Sequence, residues 1–300
     1  MGMVWMQALV PLIAVAVRAK VILLTEYTSP IISPCRTIVV FYDTLFWRRS
    51  EYPQWFRQIM KITALYPARR RHTQVVTIAT TTAKEVKGLI GKETRPCVLW
   101  PSVAEIPSKD GVRSHLLHVG VLEKRKNIPS LVRAYALARQ GETVWPDLIL
   151  AGPRSQIAAL DDHDEIAETI RALGLEDSVQ IRGGVTDYEL NDLYSHSIAF
   201  IFASTNEGFG IPLVEAMSAG VPVVAVTSPV TQEVTGGAAL TVPADSVGHL
   251  AEAIRRVVGD QALREQLSTK GRERARHFAP EVLAEQLRTI LLDERCPNRE

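Results

Sequence analysis

The sequence predicts an α/β protein with two lobes, each built on a parallel β-sheet. Two observations support this fold class: short β-branched apolar runs recur along the chain, and segments with helical spacing of apolar residues separate them. Runs with little polar alternation are typical of strands covered on both faces. Strands that alternate with helices form parallel sheets through right-handed crossovers. The predicted strands are residues 21–24, 38–41, 75–79, 97–100, 116–119, 148–150, 179–181, 199–203 and 221–226.

The segments between the strands carry helix signals. Residues 128–139 have apolar side chains at helical spacing. Thr186 and Glu189 have the form of a capping box that opens a helix. Asp245 is placed to cap a further helix that reaches Val258.

A polar segment with proline and glycine, "PSKDGVRS" at residues 107–114, separates two strand–helix series. Such a segment is typical of a domain boundary. We therefore expect an N-terminal lobe at residues 1–110, a second lobe at 111–280 and a helical tail at 281–300. Ligands of open α/β sheets bind outside the carboxyl ends of the strands, so functional residues should directly follow strands.

Composition narrows the class of partner. The hydrophobic fraction of 46% and the charged fraction of 22% are those of a folded globular protein. A formal net charge of +1 leaves no overall basic field for nucleic acid, so an anionic partner must be bound locally. Cys35, Cys97 and Cys296 show no CxxC spacing, which favours free thiols in a reducing, cytoplasmic compartment.

The N-terminal apolar run, residues 5–16, predicts a helix that packs before a buried strand. Arg18 and Lys20 end the run before it reaches the ~18 residues that a membrane-spanning helix needs. Contact with the inner face of a membrane stays open as an alternative.

The segment "NEGFGIPLVEAMSAG", residues 206–220, predicts a strand–turn–helix unit. Pro212 suits the first turn of a helix, and Gly220 suits a left-handed helix end. Gly208 and Gly210 allow the backbone to approach a ligand closely, and the free N–H groups at the helix start favour an anion. The turn therefore predicts a phosphate site.

Two glutamates accompany this turn. Glu207 stands at its mouth and can accept hydrogen bonds from hydroxyls beside the phosphate. Glu215 lies in an apolar helix, where a carboxylate costs several kcal/mol unless it is hydrogen-bonded, and two vicinal ribose hydroxyls would satisfy both its oxygens. The pair indicates a nucleotide sugar. The alternative is that both carboxylates favour the helix N-terminus and face water.

A basic loop follows the first strand of the second lobe. In "LLHVGVLEKRKN", residues 116–127, the strand ends at Gly120, and Arg125 and Lys126 come shortly after it. A departing nucleoside diphosphate develops negative charge that these two side chains would stabilise. The alternative is a solvated basic loop.

Weaker signals favour structural roles. "DDHD", residues 161–164, contains an Asp-x-Asp pattern that could hold a metal–diphosphate, but a solvated helix start is the preferred interpretation. His115 and His118 flank a buried strand and are predicted to be packed rather than catalytic. No metal site is predicted.

Residues 115–260 resemble the retaining glycosyltransferases of family 4, which have the GT-B fold. The resemblance rests on "VGVLEKRKNIPSLVRAYA", "LILAGP", "VQIRGGVTDYELNDLYSHS", "ASTNEGFGIPLVEAMSAGVPVVAV" and "GGAALTVPAD". It implies two Rossmann-like lobes facing a cleft. It also implies transfer with retention, without a metal or other cofactor, and with the leaving phosphate helping to deprotonate the acceptor.

The resemblance also implies roles for single residues. Glu207 would meet the transferred sugar near its reacting centre, and Glu215 would bind the ribose. Lys126 and Arg125 would bind the diphosphate. The remaining donor-binding positions would be Gly120, Ile181, Arg182, Gly183, Gly208, Phe209, Gly210 and Ile211, with residues 181–183 along the base.

The first lobe departs from the family pattern. In "VVFYDTLFW", Tyr42 stands before Asp43 where the family often has a histidine that contacts the donor sugar. The chain also opens at about the middle of the family's first lobe, so that lobe is expected to be incomplete. A sheet without its first strands exposes an edge and apolar surface. A partner chain, an oligomer or a membrane would cover it.

The expected function is transfer of a mannose-like hexose from a nucleotide-diphosphate sugar to a glycan or lipid-linked acceptor. GDP-mannose is the first donor expected, and UDP-sugars come next. The alternatives are a non-catalytic nucleotide-sugar-binding or partner subunit, an N-terminally truncated inactive form, and an epimerase or hydrolase on the same fold.

Overall fold

The computed structural model describes residues 5–44, 53–91, 95–107, 111–244 and 246–292. The chain divides into two compact units, Met1–Pro101 with Glu281–Glu300 and Ser102–Pro280. Each unit contains one parallel sheet, as the sequence predicts.

The first unit begins with a π-helical turn, Trp5–Leu9, and contains a second π-helical segment, Lys61–Leu65. Its strands are β1 (Val21–Leu24), β2 (Arg36–Phe41), β3 (Thr73–Thr77) and β4 (Cys97–Val98). Its helices are α1 (Val10–Ala16), α2 (Gln54–Met60), α3 (Tyr66–Ala68), α4 (Thr80–Ile90) and, at the other end of the chain, α12 (Pro280–Leu291).

The second unit contains two 3-10 turns, Lys124–Lys126 and Arg276–Phe278. Its strands are β5 (His115–Val119), β6 (Asp147–Ala151), β7 (Val179–Arg182), β8 (Ser197–Phe202), β9 (Val223–Val226) and β10 (Leu240–Val242). Its helices are α5 (Ile128–Ala138), α6 (His163–Ala172), α7 (Asp187–Ser195), α8 (Ile211–Ser218), α9 (Pro229–Thr235), α10 (Val247–Gly259) and α11 (Gln261–Ala275).

In the first unit the strand order is β1-β2-β3-β4, and every pair is parallel. Helix α12 belongs to this unit because Ile290 is buried beside Ile38 and the Arg36 guanidinium donates to the Ile290 carbonyl at 2.8 Å. The structure therefore divides the chain at Pro101 instead of residue 110, and it places the segment predicted as a separate tail on the first sheet.

In the second unit the order is β10-β9-β8-β5-β6-β7, again all parallel. The chain builds outward from β5 through β6 to β7, and then crosses back to place β8 on the other side of β5. The strand order thus reverses between β5 and β8. In doubly wound sheets, ligands bind in the crevice at the carboxyl ends of the two strands that flank such a reversal.

The predicted strands are all present, and β10 is an additional strand. Its three residues, Leu240–Val242, are too few for a clear apolar pattern. The capping box is confirmed: Glu189 N donates to Thr186 Oγ1 at 3.3 Å, and Thr186 N donates to a Glu189 carboxylate oxygen at 2.8 Å. Asp245 lies outside the described residues, and Ser246 caps α10 by accepting from His249 N at 3.2 Å.

The prediction of free thiols is wrong for Cys97, which is buried and disulfide-bonded. Cys35 is a free thiol, as predicted.

Helix formation by residues 5–16 is confirmed, but the helix is poorly covered within the described structure. Ala14 is the one described residue of α1 that is buried, whereas Leu12, Val15 and the following Val17 are each more than 60% exposed. Across the described part of the chain, every helix is too short or too polar to traverse a bilayer.

Candidate active site

The site lies where the strand order of the second sheet reverses. Strand β5 runs into Gly120 and then into the 3-10 turn Lys124–Lys126. Strand β8 runs into the glycine turn that precedes α8. Because β5 and β8 are parallel neighbours, both connections leave the same edge of the sheet side by side. The two motifs that the sequence singles out are therefore adjacent in space.

Glu207 forms ion pairs with both predicted cations. Its Oε1 atom lies 2.6 Å from Lys126 Nζ, and its Oε2 atom pairs with the Arg125 guanidinium. The side chains of Lys126 and Glu207 are 6% and 9% exposed. The alternative of a solvated basic loop is thus wrong for Lys126, because its ammonium group is buried against a carboxylate.

Arg125 is held by a second carboxylate that sequence reasoning missed. Its Nε atom donates to Glu123 Oε2 at 2.8 Å, and Ser155 Oγ donates to Glu123 Oε1 at 3.2 Å. The loop after β8 is tied to the same residue, because Thr205 N donates to the Arg125 carbonyl at 3.1 Å. Spacing alone could have suggested Glu123, which precedes Arg125 by two residues.

The ionisation of this cluster follows from burial and pairing. Burial alone would raise the pKa of Glu207, but Lys126 and Arg125 outweigh it, so the pKa lies below its usual range. Burial lowers the pKa of Lys126, and Glu207 only partly offsets this. The pKa of Arg125 is raised because Glu207 and Glu123 outweigh its burial. An ionised Glu207 paired with two cations therefore lies at the carboxyl ends of β5 and β8.

Two glycines give the cluster room. A Cβ atom on Gly120 would come within 3.1 Å of Lys126 Cε and Nζ, so the lysine stem crosses directly over this residue. A Cβ atom on Gly152, after β6, would come within 2.0 Å of the Gly120 carbonyl oxygen. The sequence analysis did not predict Gly152 as a site residue, although it follows a strand in the same way as Gly120.

The glycine turn presents its backbone to this edge. Gly210 adopts φ 85°, a left-handed conformation that favours glycine, and immediately precedes α8. The Phe209 ring is buried edge-on against Phe278, with centroids 5.7 Å apart. Phe209 can therefore contribute its backbone to a ligand, whereas Ile211 is exposed at the helix start. Pro212 lies in the first turn of α8, as predicted.

Glu215 lies one helical turn beyond the start of α8 and is only partly buried. Tyr194, which sequence reasoning missed, donates to Glu215 Oε2 at 2.8 Å. Burial raises the pKa of Glu215, the Tyr194 hydrogen bond lowers it, and Asp187 raises it. One carboxylate oxygen that was expected to meet a ribose hydroxyl thus already has a protein partner.

The residues predicted to lie along the base, 181–183, are the last two residues of β7 and the glycine that follows, at the same edge of the sheet. Arg182 and Gly183 are exposed, and Ile181 is partly buried. Gly152 N donates to the carbonyls of Arg182 and Gly183 at 3.0 and 3.2 Å, so the ends of β6 and β7 are held together.

His118 is fully buried beneath the cluster, as predicted. Its ring stacks on Phe200, and its Nδ1–H donates to the Ile201 carbonyl at 2.9 Å. Burial lowers the pKa of His118 to about 4, and Lys126 contributes to the lowering. The imidazole is therefore neutral at physiological pH. His115 is also buried, with Nε2 3.0 Å from the Leu193 carbonyl oxygen.

Tyr42 and Asp43 lie in the first unit, directly after β2. The Tyr42 ring is 39% exposed and packs edge-on to Tyr27, with centroids 6.1 Å apart. The carboxyl end of this strand therefore presents an aromatic ring.

The "DDHD" segment leads into α6. Asp161 pairs with Arg154 at 2.6 Å, and Asp162 is buried at the start of the helix. Within the described ranges, no group of three or more His, Cys, Asp or Glu side chains is arranged to hold a metal ion.

Comparison with known proteins identifies the family of the second unit. Residues 104–274, more than half of the chain, match the family described as Glycosyl transferases group 1. The chain is 32% identical over 167 residues to O-antigen chain mannosyltransferase B of Escherichia coli. It is 36% identical over 125 residues to GDP-mannose:cellobiosyl-diphosphopolyprenol alpha-mannosyltransferase of Komagataeibacter xylinus.

The two matches cover 56% and 41% of this chain, but only 42% and 30% of those relatives. A solved structure, sucrose-phosphate synthase from Thermosynechococcus elongatus, has the same fold with a TM-score of 0.74 at 18% identity. That match covers 94% of this chain and 75% of the other, and it agrees with the predicted GT-B fold class. On the family match, the chain belongs to the group 1 glycosyl transferases.

Proposed function

We propose that the protein is a retaining hexosyltransferase that uses a nucleotide-diphosphate sugar. One observation carries the proposal. Arg125, Lys126 and Glu207 meet at the reversal of the second sheet, beside the glycine turn that opens α8. Two cations and a helix N-terminus at one place suit a diphosphate, and a buried carboxylate among them suits the sugar attached to it.

In the proposed complex, the diphosphate lies against the backbone of residues 208–210 and receives charge from Arg125 and Lys126. The two cations are now paired with Glu207, so the diphosphate competes for them. Relieved of part of this pairing, Glu207 accepts hydrogen bonds from sugar hydroxyls near the reacting carbon. Glu215 accepts from the ribose, and residues 181–183 line the base.

In the proposed reaction, the bond between the anomeric carbon and the β-phosphate oxygen breaks while a bond to the acceptor oxygen forms on the same face. The leaving nucleoside diphosphate takes the bonding electrons and accepts the acceptor's proton. Lys126 and Arg125 stabilise the charge that develops on the leaving group. The proposal includes no cofactor, because these side chains supply the positive charge.

We propose GDP-mannose as the donor, with UDP-sugars as the next choice. Both relatives described above are named mannosyltransferases, and one name specifies GDP-mannose and a lipid-linked acceptor. The proposed acceptor is accordingly a growing glycan or a lipid-linked sugar, bound through the first unit.

The experiment is a donor panel with the purified protein. GDP-mannose, UDP-glucose and UDP-N-acetylglucosamine are tested for thermal shift and for sugar transfer to lipid-linked acceptor extracts. The proposal expects GDP-mannose to raise Tm most and to yield a product with retained configuration. Absence of binding by all three nucleotide sugars would refute it.

A second candidate is a nucleotide-sugar-binding subunit without turnover. The observation that favours it is Tyr42, which places a phenol where the resembling family has an imidazole. Saturable GDP-mannose binding without transfer or hydrolysis in the same panel would select this candidate. Tyr42→His would then be expected to introduce turnover.

We also propose that the first unit is covered by a membrane surface or a second chain. The exposed side chains of Leu12, Val15 and Val17 support the need for a cover. Sedimentation with anionic vesicles would indicate a membrane surface, and a dimer mass in light scattering of the protein alone would indicate a second chain.

A further inference from the structure

Tyr194 is a fully buried tyrosine of the second unit whose hydroxyl contacts a carboxylate. It is the penultimate residue of α7 and packs against Phe200 at 5.9 Å between ring centroids. Its hydroxyl nevertheless has an ionisable partner, because it donates to Glu215 Oε2 at 2.8 Å. The same hydroxyl lies 3.5 Å from the Pro212 carbonyl oxygen, so it touches α8 at two points. The phenol therefore links α7 to α8.

The bond leaves the two oxygens of Glu215 unequal. Oε2 accepts from a buried donor, whereas no donor contacts Oε1 in the part of the chain that the structure describes. A hydrogen bond from a rigid ring holds the carboxylate in one rotamer, and the free oxygen is then aimed in one direction. A fixed acceptor binds hydroxyls better than a mobile one because less side-chain freedom is lost on binding.

We propose that Tyr194 is the positioning residue for ribose recognition: its hydroxyl holds Glu215 so that Oε1 accepts from a ribose hydroxyl of the donor. The inference rests on the proposed function, in which Glu215 is the ribose ligand. It adds a residue that never touches the ligand and yet sets the preference for ribonucleotides over deoxyribonucleotides.

The charge of Glu215 gives a second readout. Burial raises the pKa of this carboxyl, the bond from Tyr194 lowers it, and Asp187 on α7 raises it. Burial and Glu215 also keep the pKa of Tyr194 well above its ordinary value, so the phenol stays a donor at every usable pH. Without the phenol, Glu215 would take up a proton at higher pH and would lose its acceptor strength earlier on acidification.

The experiment compares wild type, Tyr194→Phe and Tyr135→Phe by isothermal titration with GDP, 2′-deoxy-GDP, UDP and 2′-deoxy-UDP between pH 5 and pH 8. Tyr135→Phe is a matched control in the same unit. Tyr135 is equally buried, and its hydroxyl donates to the Pro146 carbonyl at 3.0 Å, before the start of β6. It therefore reports the loss of a buried phenol hydroxyl without a link to Glu215.

For whichever ribonucleotide binds wild type, Tyr194→Phe should weaken affinity about tenfold, the usual scale for a hydrogen bond to a charged group. The deoxy counterpart should change by less than about twofold, because the contact that depends on the aimed oxygen is already missing. The pH midpoint at which ribonucleotide affinity falls should move upward. Tyr135→Phe should change neither the ratio of the two affinities nor that midpoint.

Three results overturn the inference. Equal weakening of both nucleotides by Tyr194→Phe would mean a merely structural role, and unchanged ribonucleotide affinity would mean no role. If wild type binds no nucleoside diphosphate, the proposed function fails and this inference fails with it. Binding by wild type separates the first two results from the third.

Discussion

The ammonium group of Lys126 lies 2.6 Å from Glu207 Oε1, with both side chains almost completely buried. Burial of one charge without the other would cost several kcal/mol, so the pair is a unit. Each residue comes from the loop after a different strand, and the two strands are neighbours in the sheet.

Lys126→Ala should lower kcat/KM with GDP-mannose on the order of 10²- to 10³-fold, because it removes a charge that stabilises the leaving diphosphate. Lys124→Ala is the matched control. Lys124 belongs to the same 3-10 turn and carries the same charge, but it is exposed. Its substitution should leave kcat/KM within about twofold, as for other surface positions. Equal losses in the two variants would point to the loop's overall charge.

Glu207→Gln should separate binding from turnover. Removal of the carboxylate frees Arg125 and Lys126 for the diphosphate, so GDP affinity should be kept or increased. Turnover should fall on the order of 10²-fold, because Glu207 is proposed to act at the reacting centre. Titration calorimetry with GDP and a transfer assay with GDP-mannose measure the two quantities. A parallel loss of affinity and turnover would contradict the assigned role.

The Glu207 pair should also make stability depend on pH. The pKa of Glu207 is lower in the folded protein than in the unfolded chain. Its stabilising contribution is therefore present above the unfolded value of about 4.3 and is lost as pH falls through the lower folded value. Urea unfolding of wild type and Glu207→Gln at pH 7 and at successively lower pH tests this. The difference in unfolding free energy should be about 3 kcal/mol at pH 7 and should shrink on acidification.

Glu215→Gln should stabilise the fold and weaken GDP binding. Its pKa is raised in the folded protein, so ionised Glu215 destabilises the fold above the unfolded pKa, and the full cost is reached above the folded pKa. The amide keeps an acceptor for the Tyr194 hydroxyl without the charge. We expect a higher Tm than wild type at pH 8, a smaller gain at pH 5, and GDP affinity weakened about tenfold or more. Unchanged GDP affinity would remove Glu215 from the proposed site.

Gly210→Ala tests the turn itself. At φ 85° a Cβ atom is strained, and it would approach Leu213 Cδ1 to 3.1 Å and Phe202 Cζ to 3.3 Å. A cost of about 1–2 kcal/mol in unfolding free energy is expected from the left-handed conformation. GDP binding should weaken as the backbone amides shift. Gly184→Ala is the control, since nothing lies within 4 Å of the added Cβ atom there and its φ is not left-handed. It should change neither quantity.

Much of the fold was readable from local pattern. The β-branched runs marked the nine predicted strands, because a strand buried on both faces needs consecutive apolar side chains. The turn residues Thr186, Pro212 and Gly220 marked helix ends, because capping and left-handed backbone depend on neighbouring residues alone. The three-residue strand β10 was not predicted, since so short a segment takes its conformation from its neighbour β9.

Several residues of the candidate site could also be predicted from the sequence, but the side chains that contact them could not. Glu215 was expected to meet a ligand with both oxygens, and Tyr194 holds one of them. Gly152 became relevant only through its close approach to Gly120, which follows a different strand. The position of α12 on the first sheet likewise depends on a segment distant in sequence, because the Arg36 guanidinium on β2 donates to the Ile290 carbonyl.

Local sequence is enough to specify the alternation of strands and helices, the glycine turn before α8 and the residue types that follow each strand. These features arise from periodicity and backbone preference, which act over a few residues. Packing of the whole second unit places β8 beside β5, and Glu207 can pair with Lys126 and Arg125 for that reason. Strand order is set by packing across the whole sheet, and no local pattern encodes which two loops will meet.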